Sequence, residues 1–207
     1  DVEGALRESE YALDTLKADG IGVLSSYEGK YLGNPAFAPL MDEWNRRKTV
    51  VYCHPFCAAC GVQQTLTDAQ NRGIEFVFDT TRTILSLLQT ATVARCPDIK
   101  FIWSHGGGTV PYITSRLNGV GGNKLPKGVI YELQKFYYDT ASVENQVALA
   151  GLKKFVPMSQ IFFGTDFPFG AATERIKSLE ESESFTPQEL QAVYRDNAVK
   201  LLPRLKA

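Results

Sequence analysis

Both histidines of this 207-residue chain, and two of its aspartates, follow short apolar runs. His54 closes Thr49-Val50-Val51-Tyr52-Cys53, and His105 closes Phe101-Ile102-Trp103-Ser104. Asp139 follows Phe136-Tyr137-Tyr138, and Asp166 follows Ile161-Phe162-Phe163-Gly164-Thr165. Runs of this length and composition are those of buried strands, so each polar residue falls where a strand ends. Imidazole exchanges protons near neutral pH and is a common metal ligand, and a carboxylate supplies an anionic oxygen. Grouped together, these side chains could do acid–base chemistry or hold a divalent ion. After His105 the chain passes through Gly106-Gly107-Gly108, where missing Cβ atoms permit a tight turn and close backbone approach. Pro111 suits a first helical turn, so a helix is expected over residues 111–117, with its free N–H groups facing an anion such as a carboxylate.

The elements that must position these residues follow from the rest of the chain. Ala5, Leu6, Tyr11, Ala12, Leu13 and Leu16 space an amphipathic helix over residues 2–19, closed by Gly20. A short strand is expected over 21–26 and a helix over 37–47, with Leu40, Met41 and Trp44 on one side. The strand over 49–55 ends on His54 and is terminated by Pro55; an irregular stretch with Cys57 and Cys60 and a helical segment near 63–72 follow. Asp79 is a good N-cap for a helix over 80–95. Strands over 101–105, 136–141 and 160–168 are separated by the expected helices over 111–117 and 146–152, with a polar loop at 119–127. Helices over 171–180 and 187–202 close the chain, the second capped by Thr186. Five apolar strands alternating with helices predict an α/β fold with a parallel sheet covered by helices. With no repeat, low-complexity run or linker, residues 1–207 read as one domain. In such folds functional groups collect at the carboxyl ends of the strands. His54, His105, Asp139 and Asp166 all lie there.

Composition narrows the function classes. A hydrophobic content of 44% and a net charge of −1 oppose both disorder and a nucleic-acid-binding surface. No apolar run reaches the roughly 18 residues that span a membrane, and the first residues open directly into a charged helical pattern with no signal peptide. Four cysteines without framework spacing fit a reducing compartment. A cytoplasmic globular protein is expected.

Four motifs occur in order: Val50-Val51-Tyr52-Cys53-His54-Pro55, Ser104-His105-Gly106-Gly107-Gly108-Thr109-Val110-Pro111-Tyr112, Tyr137-Tyr138-Asp139-Thr140-Ala141 and Phe163-Gly164-Thr165-Asp166-Phe167-Pro168. In these motifs, and in its closing Asn197-Ala198-Val199-Lys200-Leu201-Leu202, the chain resembles the amidohydrolase superfamily. Within it, the chain is most similar to the aminocarboxymuconate-semialdehyde decarboxylase branch, which includes non-oxidative decarboxylases of methylsalicylate, resorcylate and carboxyvanillate. The resemblance implies a TIM (β/α)8 barrel with one divalent metal at its mouth, zinc or alternatively manganese. It implies that His54 is a metal ligand ending the fifth strand, and His105 the acid–base histidine ending the sixth. Asp166, ending the eighth, would be both a metal ligand and a proton-handling carboxylate. Arg116 matches an arginine that holds a substrate carboxylate across a homodimer interface. The family opens on a strand carrying a His-x-His pair, which this chain lacks; a barrel of about 250 residues would be represented here by about strands four to eight. An amino-terminally incomplete domain is therefore expected.

Decarboxylating an aromatic or vinylogous acid needs a proton donor beside a ring held in place, which His105 and Asp166 could provide. Arg116 would grip the carboxylate bidentately, while Phe167, Trp103 and Tyr138 are candidate pocket walls, though strand aromatics are more often core. The same constellation could hydrolyse a C–N or lactone bond by attack of an activated water; the triple-glycine turn favours the decarboxylases. Asp139 reads as structural, holding a loop by hydrogen bonds. Two other classes remain open. Cys57-x-x-Cys60 with Cys53 and His54 could be a zinc-binding module, but Cys53 and His54 are strand neighbours that point to opposite faces. A phosphate cradle at the glycines lacks both a following Lys-Ser/Thr and a G-x-G-x-x-G pattern.

Overall fold

The computed structural model describes residues 1–56 and 68–206. Cys57, Cys60 and the start of the helical segment expected near 63–72 lie outside the described residues. Five strands form one parallel sheet in the order β1 (Gly20–Leu24), β4 (Val50–His54), β5 (Lys100–Trp103), β6 (Tyr137–Asp139), β7 (Ile161–Phe162). A small antiparallel hairpin of β2 (Ser26–Tyr27) and β3 (Lys30–Tyr31) lies between β1 and β4 in the chain. The helices are α1 (Val2–Glu10), α2 (Ala38–Arg47), α3 (Asp68–Gln89), α4 (Thr92–Arg95), α5 (Val129–Leu133), α6 (Gln146–Phe155), α7 (Ala172–Glu181), α8 (Pro187–Gln191) and α9 (Asn197–Leu201).

Register decides which side chains meet. In-register neighbours of parallel strands share a face, so Val23, Cys53, Trp103, Tyr138 and Ile161 form one row across the sheet. That row is buried from end to end, packed with helix residues such as Leu87, Leu88, Leu149 and Leu152. The next row, Gly22, Tyr52, Ile102 and Tyr137, faces the other way and is more open; Tyr52 is 37% exposed. Since side chains alternate along a strand, His54 and Asp139 lie on this open side with Tyr52 and Tyr137.

Several expected boundaries shift, each for a local reason. The first helix continues from α1 into a single π-turn over Tyr11–Thr15. The same happens after α8, where a π-turn over Ala192–Asp196 leads into α9; Thr186 and Glu189 form the capping box that starts α8. Asp79 is not an N-cap, because α3 runs unbroken from Asp68 to Gln89. Its buried carboxylate accepts hydrogen bonds from the Ser25 hydroxyl, from Tyr31 Oη at 2.9 Å and from the Phe56 amide at 3.3 Å. A residue with the right type for a helix start thus serves long-range partners at the ends of β1 and β4. α5 lies just beyond a loop that the sequence reading leaves unstructured.

The largest correction concerns the chain after His105. No α-helix occupies residues 111–117; the segment is a series of single 3-10 turns, His105–Gly107, Val110–Tyr112 and Thr114–Leu117. The expected array of free helix N–H groups is therefore not built here. The turn itself is tight: Gly106, Gly107 and Gly108 have φ of 63°, 75° and 69°. A Cβ on Gly108 would lie 2.2 Å from the Val77 carbonyl oxygen, and one on Gly107 would lie 2.5 Å from the Tyr138 ring. At Gly106 the nearest atom is a Val143 methyl at 3.4 Å. Gly108→Ala should therefore be far more damaging than Gly106→Ala. Gly106, at φ 63° and ψ 18°, carries only the roughly 1–2 kcal/mol left-handed penalty, whereas Gly108, at φ 69° and ψ −129°, lies outside the left-handed helical region and adds a backbone clash. Urea unfolding midpoints check this, and equal shifts would contradict it.

Candidate metal and proton-transfer centre

His54 ends β4 and His105 follows β5 by two residues, so strand pairing alone brings their backbones side by side. Their rings lie 5.3 Å apart, inclined at 68°. Asp166 arrives differently from the expectation. β7 spans only Ile161–Phe162, and the chain then leaves the sheet: the Phe163 amide bonds to the Val193 carbonyl and the Gly164 amide to Thr140 Oγ1. This excursion carries Asp166, at φ 59°, over the strand ends. Its Oδ1 lies 3.5 Å from His54 Nε2 and 3.8 Å from His105 Nε2. The three donor atoms fall within 4.8 Å of one another.

The tautomer of each histidine follows from its outer partner. His54 Nδ1 lies 2.9 Å from the Pro55 carbonyl oxygen, and His105 Nδ1 lies 3.0 Å from that of Ala141. A carbonyl can only accept, so each Nδ1 carries the proton, and in the neutral ring each Nε2 presents its lone pair towards Asp166. Backbone carbonyls commonly orient metal-binding histidines in this way. Two neutral nitrogens and one carboxylate oxygen, close together with one side open, fit a divalent first-row metal. Exposure grades across the group: the His105 side chain is 7% exposed, Asp166 21% and His54 33%. Phe76 packs its ring edge against His54 at 6.0 Å. A cavity of about 520 Å³ lies elsewhere, between α1, β1 and α2, and holds none of the three.

Asp139 has the structural part expected of it. Its Oδ1 accepts the His105 amide at 2.8 Å and the Ala141 amide at 3.1 Å, and its Oδ2 accepts the Tyr52 hydroxyl at 2.9 Å. It therefore holds His105 at the main chain and also holds the residue whose carbonyl orients the His105 ring. Burial pushes the Asp139 carboxyl above its ordinary value, against the pull of His105 and of its hydrogen-bond donors. Burial, with the Asp139 charge, likewise pushes the Tyr52 phenol far up, so Tyr52 remains a donor. Tyr52 was not among the expected site residues; its alternation with His54 on β4 was the available signal.

The remaining expected residues separate. Trp103 is wholly buried, stacked on Phe101 at 5.3 Å and edge-on to Phe136 at 5.5 Å, on the helix-facing side of the sheet. Tyr138 shares that face, with its hydroxyl bonded to the Leu133 carbonyl. Neither lines the open side, because both fall on the opposite strand parity from His54. Phe167 is 80% exposed beside Asp166, joined to Pro168 by a cis peptide. Arg116 is exposed in the 3-10 turn Thr114–Leu117 and makes no ion pair among the described residues. Cys53 is a buried free thiol, its pKa pushed up by burial, while Cys57 and Cys60 of the alternative zinc module fall outside the described residues.

The Amidohydrolase family profile matches residues 1–204. The chain belongs to this family. Over 228 residues this amidohydrolase is 37% identical to decarboxylase yanB of Aspergillus niger, covering 99% of this chain and 60% of that protein. It is 32% identical over 225 residues to the 6-methylsalicylic acid decarboxylase acuB of Aspergillus aculeatus, covering 98% of this chain and 66% of that one. The amidohydrolase thus spans 60 to 66% of the length of these relatives. Its fold matches that of a dihydroxybenzoic acid decarboxylase from Polaromonas sp. JS666, solved with manganese and the inhibitor 2-nitroresorcinol. The TM-score is 0.80 at 19% identity, covering all of this chain and 67% of that one. The parallel sheet with its helices is accordingly part of an amidohydrolase barrel.

Asp139→Ala should cost about 2–6 kcal/mol, since it strands two buried main-chain donors at roughly 1–3 kcal/mol each. Asp139→Asn retains an acceptor for both amides and should recover most of that loss. Chemical denaturation of the two variants checks the contrast, which would fail if Asn were as destabilising as Ala.

Proposed function

We propose that this amidohydrolase is a metal-dependent, non-oxidative decarboxylase of an aromatic carboxylic acid of the hydroxybenzoate type. The convergence of His54, His105 and Asp166 carries this reading, with both imidazoles locked in the tautomer that turns Nε2 inward. The similarity to 6-methylsalicylic acid decarboxylase supports the choice of substrate class.

His54 and Asp166 would hold the ion, zinc or manganese, and His105 would be free for proton transfer. When bound, the ion supplies a fixed positive charge for the substrate carboxylate and a neighbouring oxygen. The chain's own residues do the rest. His105 and Asp166, 3.8 Å apart, share a proton and deliver it to the ring carbon that bears the carboxylate. The new C–H bond takes a pair of ring electrons, cleavage of the C–C bond returns a pair, and CO2 departs. The net change is one proton in and one CO2 out. The shallow exposure of His105 keeps water from competing for that proton. Phe167, exposed beside Asp166, would cover one side of the ring, and Arg116 would meet the carboxylate of a substrate in the partner subunit of a homodimer. Among the described residues no helix is long and apolar enough to cross a membrane. We place the enzyme in the cytoplasm because its four cysteines, without framework spacing, fit a reducing compartment.

Elemental analysis and a salicylate-type assay on single variants test the division of roles. His54→Ala should lose both metal and activity, whereas His105→Ala should abolish decarboxylation with metal content near wild type. Equal metal loss in the two variants would make His105 a ligand instead. Release of an amine or an opened lactone, with no CO2 from any aromatic acid, would favour hydrolysis.

A further inference from the structure

One guanidinium outside the His–His–Asp group touches both loops that shape it. Arg175 lies on α7, and its three nitrogens reach three acceptors on two loops. Nε donates to the Thr165 carbonyl at 3.3 Å, directly before Asp166. Nη2 donates to Ser142 Oγ at 3.3 Å, directly after Ala141, whose carbonyl orients His105. Nη1 donates to Glu144 Oε2 at 3.2 Å, and the other oxygen of Glu144 accepts the Ser142 amide at 3.1 Å. Both loops carry left-handed non-glycine residues at these points, Asp166 at φ 59° and Ser142 at φ 60°, a conformation that surrounding contacts must maintain.

We propose that Arg175, braced by Glu144, is a positioning residue that fixes the Asp166 loop against the Ala141 loop and so sets the spacing of Asp166 and His105. The pair is shielded: the Glu144 side chain is 6% exposed and that of Arg175 24%. A planar fork with donors in fixed directions suits three acceptors spread over two loops, which a lysine ammonium on a flexible stem does not. Gly170 makes room for it, since a Cβ there would lie 2.4 Å from Arg175 Nε and 2.6 Å from the Thr165 carbonyl oxygen. Arg175 touches none of the three donor atoms and acts through the main chain on either side of them. Its placement is a separate matter from the identity of the substrate, although its consequence for metal rests on the reading of the site given above.

The test is a Mn2+ titration followed by electron paramagnetic resonance on the full-length protein, alongside kcat and KM for a salicylate-type acid. Arg175→Lys keeps the charge opposite Glu144, so its unfolding midpoint should stay near wild type while Mn2+ binds roughly 10-fold or more weakly, the size of effect typical of groups that orient ligands. kcat should fall more than KM rises. Gly170→Ala, which leaves Arg175 chemically intact but removes its space, should move Mn2+ affinity in the same direction and serves where Arg175→Lys folds poorly. Wild-type Mn2+ affinity in a folded Arg175→Lys protein would overturn the proposal. Wild-type protein that binds Mn2+ no better than Asp166→Asn would instead overturn the metal site itself, and this proposal with it.

Discussion

Asp139 sits inside the protein with both carboxylate oxygens engaged, one by the amides of His105 and Ala141 and the other by the Tyr52 hydroxyl. A charge in such a place is costly unless its hydrogen-bonding capacity is met. Here three donors from three stretches of chain meet it, and in doing so they are drawn to one point. The His105 backbone is held in a left-handed conformation that a β-substituted residue rarely adopts. The Ala141 carbonyl is held where it can accept from the His105 ring. The hydrogen bonds that offset the desolvation of one acid thus also order the histidine that faces the site.

The sheet explains why the acid can reach so far. Tyr52 on β4 and Asp139 on β6 flank β5, and their bond crosses that strand on its open face. Parallel register places Tyr52 level with Ile102 and Ile102 level with Tyr137, so the long phenol needs only to lean across one neighbour. On the reverse face the same register stacks Cys53, Trp103, Tyr138 and Ile161 into a dry layer under the helices. One face is committed to burial, which leaves the other to carry chemistry. The end of β4 fixes His54, Asp139 and the Ala141 carbonyl fix His105 just past β5, and the third donor, Asp166, comes from a loop that needs its own supports.

Charged side chains supply further fastenings, at the strand ends as well as at this loop. Asp79 ties the ends of β1 and β4 to α3, and Arg175 ties the Asp166 loop to the Ala141 loop. Asp79 accepts from a serine hydroxyl, a tyrosine phenol and an amide, and Arg175 donates to a main-chain carbonyl, a serine hydroxyl and the Glu144 carboxylate. A loop held in this way keeps its shape through hydrogen bonds whose directions matter, a more exacting constraint than apolar packing.

The sequence by itself determined the alternation of strands and helices, and with it the parallel sheet, because apolar runs of strand length and amphipathic spacing are local signals. It also determined that His54 and His105 stand at strand ends, because the run simply stops at each. Cys53 and His54 could be assigned to opposite faces from the two-residue period alone, and Asp139 read as a hydrogen-bonding acid from its place beside a turn. What the tertiary structure decided was everything that depends on a partner distant in the chain. Trp103 and Tyr138 face the helices because register and parity place them there, although their aromatic character suits a pocket equally well. The segment after the glycines turns in 3-10 steps where Pro111 pointed to a helix, and Asp79 sits in mid-helix where its type pointed to a cap. β7 ends early because Phe163 finds Val193 for its amide, so Asp166 arrives by a loop. At Asp79 the local capping preference is worth about 1 kcal/mol, and its buried hydrogen bonds to Ser25, Tyr31 and Phe56 outweigh it.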